Sequence, residues 1–384
     1  MSKQKIKVMS VFGTRPEAIK MAPLVQELAG RPEFESLCCL TGQHRQMLDS
    51  VMEIFGLEAQ YDLNIMEPRQ TLSTITTKTL LGMERVLEEA KPDLVLVHGD
   101  TSTTFAGALA AFYHKVPVGH VEAGLRTYDP YSPFPEEMNR VLVGDIAALH
   151  FSPTQANADN LRREAVRGEI FITGNTVIDA MKTTVSSNFR FQEEILNHLD
   201  DTGKKIITMT CHRRENYGQP MEDIMAAVRT LVERNPQVEV VYPVHLSPVV
   251  QECARRNLGD LERVHLIAPL DVAQMHNLMA RSYLILTDSG GLQEEAPAMG
   301  KPVLVLRRET ERPEAIAAGT AKLAGVEKEQ IVSMTQQLLD DPRAYEKMAH
   351  AVNPYGDGNA CRRIADAIAW HFGLTDKRPE DFRA

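Results

Sequence analysis

The chain has 384 residues, 43% hydrophobic and 24% charged, with a formal net charge of −10. That length exceeds what one hydrophobic core usually serves, so two domains are expected, and the acidic balance excludes a binder of nucleic-acid backbone. No apolar run is long enough to span a bilayer, no signal-peptide cleavage site follows the first strand, and the five cysteines lack metal-type spacing. A cytoplasmic protein with reduced thiols is expected.

Along the chain, short β-branched runs alternate with segments of helical period. KIKVMSVF, SLCCLT, DLVLVHGD, PVGHVEA, ALHFSP and EIFITG read as one series of strands. KKIITMT, VEVVYPV, RVHLIAP, YLILTD and KPVLVL read as a second. The runs are continuously apolar, as in strands buried on both faces of a parallel sheet. Helices are expected over 16–29, 72–90 and 271–280, and a last one over 359–372 after the turn NPYGDG. Cys38 and Cys39 should face opposite sides of one strand. Residues 185–201, polar and without a strand, read as a linker. The organisation is α/β: Rossmann-like domains over 1–185 and 202–358, facing a central cleft, with a tail over 359–384 packing back toward the first.

Ligands of such folds bind beyond the C-terminal ends of the strands, so the residues there carry the function. Arg15 follows Gly13 and Thr14 at a helix N-terminus, where an anion is welcome. One glycine is not the GxGxxG of a nicotinamide site. Asp100 ends VHGD and reads either as a helix N-cap or as a catalytic carboxylate. Glu122 ends the next strand. Glu136 opens a helix in YSPFPEEMNR, where it and Glu137 can also complement the helix dipole. Three such carboxylates together should raise at least one pKa, as acid–base chemistry requires.

The second series supplies cations and N–H donors. His212, Arg213 and Arg214 follow one strand and His245 the next. Ser289, Gly290 and Gly291 offer bare backbone N–H groups for an anion. Glu294 and Glu295, one turn on, suit a ribose diol. Arg312 adds a further cation.

FGTRPEAIKMAPL, TGQHRQML, HGDTSTTFAGALAAF, HVEAGLRT, SPFPEEMNR, ITGNTVIDA, HRRENYG, TDSGGLQEEAPAMGKPVLVLR, TERPEA and NPYGDG together resemble the bacterial non-hydrolysing UDP-N-acetylglucosamine 2-epimerases, from about Lys7 to Phe372. The resemblance implies the glycosyltransferase-B fold and interconversion of UDP-N-acetylglucosamine with UDP-N-acetylmannosamine. It also implies a homodimer, no cofactor or metal, and a product for surface-polysaccharide synthesis. By motif, Arg15, Lys20, His212, Leu270, Met275, Ser289, Gly290, Gly291, Glu295 and Arg312 look like contacts to the UDP-sugar. Asp100, Glu122 and Glu136 look like the catalytic carboxylates, with His212 beside them. Gln43, His44, Gln46, Arg69, Gln70, Arg213 and His245, with Glu136, are similar to a second UDP-N-acetylglucosamine site that activates some members. Relatives often carry a small residue at Cys211, phenylalanine at Met275 and Asp-Thr at Arg308–Glu309. Which carboxylate is acid and which is base stays open. So do a hydrolysing epimerase, a glycosyltransferase and a non-catalytic nucleotide-sugar binder as rival readings.

Overall fold

The computed structural model describes residues 5–42 and 45–384, the side chains of 45–47, 200 and 202 excepted. The chain divides into two compact units, Met1–Thr183 with Tyr355–Arg383, and Thr184–Pro354 with Ala384.

The first unit is built on seven parallel strands: β1 (Ile6–Phe12), β2 (Phe34–Leu40), β3 (Tyr61–Asp62), β4 (Leu94–His98), β5 (Val118–Val121), β6 (Leu149–Ser152) and β7 (Glu169–Ile172). Their order is β3-β2-β1-β4-β5-β6-β7, so the winding reverses between β1 and β4. At such a switch point the loops leaving two neighbouring strands diverge and open a crevice. Here those loops are 13–14, leading to α1 (Arg15–Ala29), and 99–101, leading to α4 (Ser102–Tyr113). Between them in sequence lie α2 (Arg45–Ile54) and α3 (Leu72–Ala90); α5 (Glu136–Ile146) follows. Both sheet faces are covered. Cys38 packs with Val8, Leu94 and Phe151 on one face, and Cys39 with Met9, Met83 and Val95 on the other, as the strand alternation required.

The chain's last helix, Ala360–His371, lies in the same core as α1, where Arg31 Nη1 is 2.6 Å from Asp366 Oδ1. Its N-terminus is fixed by buried Asp179, which accepts from Ala360 N at 3.1 Å and Cys361 N at 3.0 Å.

The second unit has six parallel strands: β8 (Lys205–Thr210), β9 (Val238–Pro243), β10 (Val264–Ile267), β11 (Leu284–Thr287), β12 (Val303–Val305) and β13 (Ala321–Leu323). The order β10-β9-β8-β11-β12-β13 reverses between β8 and β11, the strands that precede His212 and Ser289.

Two strands, β3 and β13, escape a reading of hydrophobic runs because they span two and three residues. The stretch 185–201, read as a linker, instead belongs to the second unit. Phe191, Leu196 and Leu199 are buried there with Ile206, Val241 and Leu278. Three apolar residues spread among polar ones give no period, so only the packing shows their role. No helix among the described residues is long and apolar enough to cross a membrane.

Asp179→Ala would leave two buried N–H groups of the last helix without an acceptor. Such a loss costs about 1–3 kcal/mol. The urea unfolding midpoint is expected to fall accordingly, and Asp179→Asn, which keeps one acceptor, to recover part of it.

Candidate active site

The loop after β1 is closed from within. Glu17, buried in the first turn of α1, accepts from Gly13 N at 3.0 Å and Thr14 N at 2.7 Å through Oε2. Its Oε1 accepts from Thr101 Oγ1 at 2.8 Å and Thr104 Oγ1 at 2.9 Å, at the head of α4. Arg15 is left half-buried, its guanidinium without a partner among the described residues.

Beside it, Thr101 rather than Asp100 caps α4, accepting from Thr104 N at 3.1 Å. Asp100 is held instead by Arg140 of α5, whose Nε and Nη2 reach its Oδ2 at 2.9 and 2.6 Å. The other oxygen, Oδ1, has no partner among the described residues. Arg140 is aimed by Glu137, which takes its Nη1 at 3.1 Å and the N–H groups of Thr127 and Tyr128 at 3.1 and 2.9 Å. Glu136 lies one turn ahead of Arg140 on the same helix.

Glu122 follows β5 with φ +63°, a backbone conformation uncommon outside glycine. Its Oε2 receives the Lys20 ammonium and Asn175 Nδ2 at 3.1 Å, with His98 Nε2 at 3.6 Å. Burial alone would raise this carboxyl, but Lys20 and His98 outweigh it and hold it well below the usual carboxylate range.

Glu122 is therefore not a carboxylate whose pKa the cluster raises. The carboxylates of this half do not face one another bare. Lys20 stands against Glu122 and Arg140 against Asp100. Lys20, expected on the UDP-sugar, is paired with Glu122.

In the second unit Asp288 does what Glu17 does in the first. Fully buried, its Oδ2 accepts from His212 N and Arg213 N at 2.7 Å each and from Asn216 Nδ2 at 3.1 Å. Its Oδ1 is 3.3 Å from His212 Nδ1. The His212 ring stacks on His245 at 5.4 Å between centroids and 11° between planes. Its pKa is lowered, by burial first and then by His245 and Arg213, against the pull of Asp288.

The turn after β11 lies under two guanidinium groups. A Cβ on Gly290 would sit 3.7 Å from Arg312 Cζ and 3.9 Å from Arg213 Nη2, so glycine leaves that space open. Arg312 is anchored by Glu294 Oε1 through its Nε. Glu295 Oε2 is 3.3 Å from His276 Nε2, whose Nδ1 meets Thr184 Oγ1 at 2.7 Å. Leu270 and Met275 pack with the apolar cluster of Phe191 and Ile267.

Residues 26–369 match the family described as UDP-N-acetylglucosamine 2-epimerase. The UDP-N-acetylglucosamine 2-epimerase of Bacillus subtilis is 56% identical over 381 residues, covering 99% of both chains. A solved UDP-N-acetylglucosamine 2-epimerase structure superposes with a TM-score of 0.92 at 54% identity, covering 99% of this chain and 100% of that one. The Neisseria meningitidis UDP-GlcNAc 2-epimerase, solved bound to UDP-GlcNAc, superposes with a TM-score of 0.83 at 48% identity, covering 94% and 99%. The chain belongs to the UDP-N-acetylglucosamine 2-epimerase family.

This epimerase chain shares the two-sheet α/β fold of those structures. The remaining candidates fall on both units. Arg69, exposed with φ +61°, and Gln70, whose Nε2 donates to the Ile65 carbonyl, are in the first, and Arg213 and His245 in the second. Gln43 and His44, and the side chain of Gln46, lie outside the described residues. No group of three or more His, Cys, Asp or Glu among the described residues is placed to hold a metal. Sequence reasoning missed Glu17, His98, Arg140, Asn175, His276 and Asp288. Most stand inside motifs already singled out, one to four residues from a chosen candidate, and their partners in space distinguish them.

A buried histidine of the first sheet gives the fold a pH signature. His120 of β5 is fully buried with Nε2 2.7 Å from the Gly99 carbonyl, and burial pushes it down from 6.5 to about 3. Between those values the unfolded chain binds a proton that the folded one refuses, so stability present at higher pH is lost as pH falls. Glu122, depressed in the fold, adds a loss in the same direction below its ordinary 4.5. The urea midpoint is expected to drop steadily from about pH 7 to about pH 4. His120→Gln, which keeps a donor toward Gly99, should flatten the upper part of that slope.

Proposed function

We propose that the chain interconverts UDP-N-acetylglucosamine and UDP-N-acetylmannosamine by inverting C2 of the sugar. The observation that carries this reading is Glu122. In a chain of the 2-epimerase family, it is an ionised carboxylate pinned by an ammonium beside an imidazole, one strand from Asp100.

No carbonyl adjoins C2, so removing its proton directly is unfavourable. Elimination avoids the problem. The C1–O bond to UDP breaks as the C2 proton leaves, giving UDP and 2-acetamidoglucal. UDP then re-adds to C1 while C2 is protonated on its other face. The departing diphosphate is stabilised by Arg15, His212, Arg312 and the N–H groups of Ser289–Gly291. Glu295 takes the ribose, and Leu270 and Met275 lie against the uracil. Asp100, Glu122 and Glu136 share the proton transfers and the stabilisation of positive charge at C1. Lys20 acts through Glu122, and Arg140 through Asp100, whose Oδ1, without a partner among the described residues, is the atom available to substrate.

A second UDP-N-acetylglucosamine activates the enzyme through Gln43, His44, Gln46, Arg69, Gln70, Glu136, Arg213 and His245. The stacking of His245 on His212 supports this, because a ligand that moves one ring moves the other. Coupling of this kind is reciprocal and typically amounts to about 1–3 kcal/mol. The active form is a homodimer, which the exposed Leu81, Phe112, Tyr113, Met138 and Leu142 on α3, α4 and α5 support.

A proton NMR time course with UDP-N-acetylglucosamine alone tests the activity: the epimer is expected, and free N-acetylmannosamine would mark a hydrolase instead. In deuterated water the product should carry deuterium at C2. Asp100→Asn, Glu122→Gln and Glu136→Gln should each lose at least about a hundredfold in turnover while UDP still binds.

Activation is tested in reverse. UDP-N-acetylmannosamine alone should react slowly until a little UDP-N-acetylglucosamine is added, and Arg69→Ala should blunt that response. A full initial rate without a lag would remove the second site.

A further inference from the structure

We infer that Glu17 is a positioning residue for the reaction, locking the loop that carries Arg15 to the loop that carries Asp100; this rests on the epimerase reading above. A glutamate three residues into a helix ordinarily caps its own N-terminus and turns its other oxygen to water. Glu17 is only 3% exposed, and its second oxygen reaches the hydroxyls of Thr101 and Thr104, 84 and 87 residues away. Its first oxygen takes the N–H groups of Gly13 and Thr14. One carboxylate therefore ties together the two loops that leave β1 and β4 at the switch point of the sheet. Arg15 is the residue after Thr14, and Asp100 the residue before Thr101.

The protons on the hydroxyl side decide which variants keep the lock. Thr104 Oγ1 lies 2.9 Å from Glu17 Oε1 and 2.6 Å from the His98 carbonyl, with one proton for both. In Glu17→Gln the amide oxygen can stay on the Gly13 and Thr14 N–H groups. The amide nitrogen then donates to the hydroxyls, which rotate to accept, and the Thr104 proton passes wholly to His98. Glutamine thus preserves the geometry without the charge. Alanine removes both links. Valine at 101 and 104 removes the link to Asp100, together with the Thr101 cap of α4 and the Thr104 bond to the His98 carbonyl, and leaves the Gly13 and Thr14 bonds in place.

Wild type, Glu17→Gln, Glu17→Ala and Thr101→Val/Thr104→Val are compared for kcat by NMR and for UDP Kd by calorimetry, with thermal midpoints alongside. Displacement of a catalytic group costs up to about a hundredfold. Glu17→Ala should lose about tenfold to about a hundredfold in kcat and weaken UDP as well. Glu17→Gln should stay within about threefold of wild type in both. The double valine variant should lose kcat with UDP affinity unchanged, and Thr101→Ser/Thr104→Ser should restore it. Equal damage from glutamine and alanine would make the charge rather than the lock responsible and overturn the proposal. So would a valine variant that loses UDP affinity as much as kcat. Absence of turnover in the wild type, with UDP still bound, would reject the epimerase reading instead, and the Kd differences would still judge the lock.

Discussion

A buried carboxylate that accepts two consecutive backbone N–H groups recurs through the described residues. Glu17 takes Gly13 and Thr14, and Glu137 takes Thr127 and Tyr128. Asp179 takes Ala360 and Cys361, and Asp288 takes His212 and Arg213. Loops beyond the end of a parallel strand lose the sheet's hydrogen bonds, and an unpaired N–H kept from water is costly. Two adjacent N–H groups aimed the same way make a small positive pole, and an ionised acid satisfies both at once. Each of these four chain segments is fixed by that one device.

The same device sets the electrostatics around the candidate residues. Glu137 holds one nitrogen of Arg140, which presents the rest of its fork to Asp100. Asp288 holds the backbone of His212 and Arg213 and faces the imidazole of His212. Lys20 and His98 keep Glu122 ionised despite its burial. Charges arranged before the substrate arrives need not reorganise during reaction, which is where fixed dipoles and ions outperform water. Among the described residues the Arg15 guanidinium and Asp100 Oδ1 have no protein partner.

Both sheets repeat one topological choice. Winding reverses between β1 and β4 in the first and between β8 and β11 in the second. Arg15 and Asp100 follow the first pair of strands and His212 and Ser289 the second, so each pair stands at the switch point of its own sheet. The strand runs that reveal this order are legible without a structure because parallel strands are apolar on both faces. The short β3 and β13, and the packing of Phe191, Leu196 and Leu199, are not, since two or three residues carry no period.

What the sequence by itself determined was where the strands end and which polar residues stand there, because hydrophobic periodicity and turn chemistry are local properties. It placed Arg15, Asp100, Glu122, His212 and Ser289 at strand ends and matched their motifs to a family. The tertiary structure alone decided which carboxylates are buried and what each one meets. Glu136 and Glu137 are adjacent in sequence, yet Glu137 is 2% exposed and holds a loop, while Glu136 stays at the half-open start of its helix. Asp100 escaped the N-cap role because Thr101 took it, and Glu122 was held ionised by a lysine 102 residues away. A charge's protonation and its partner are set by what surrounds it in space, and neighbours brought from distant parts of the chain leave no mark on the residues beside it.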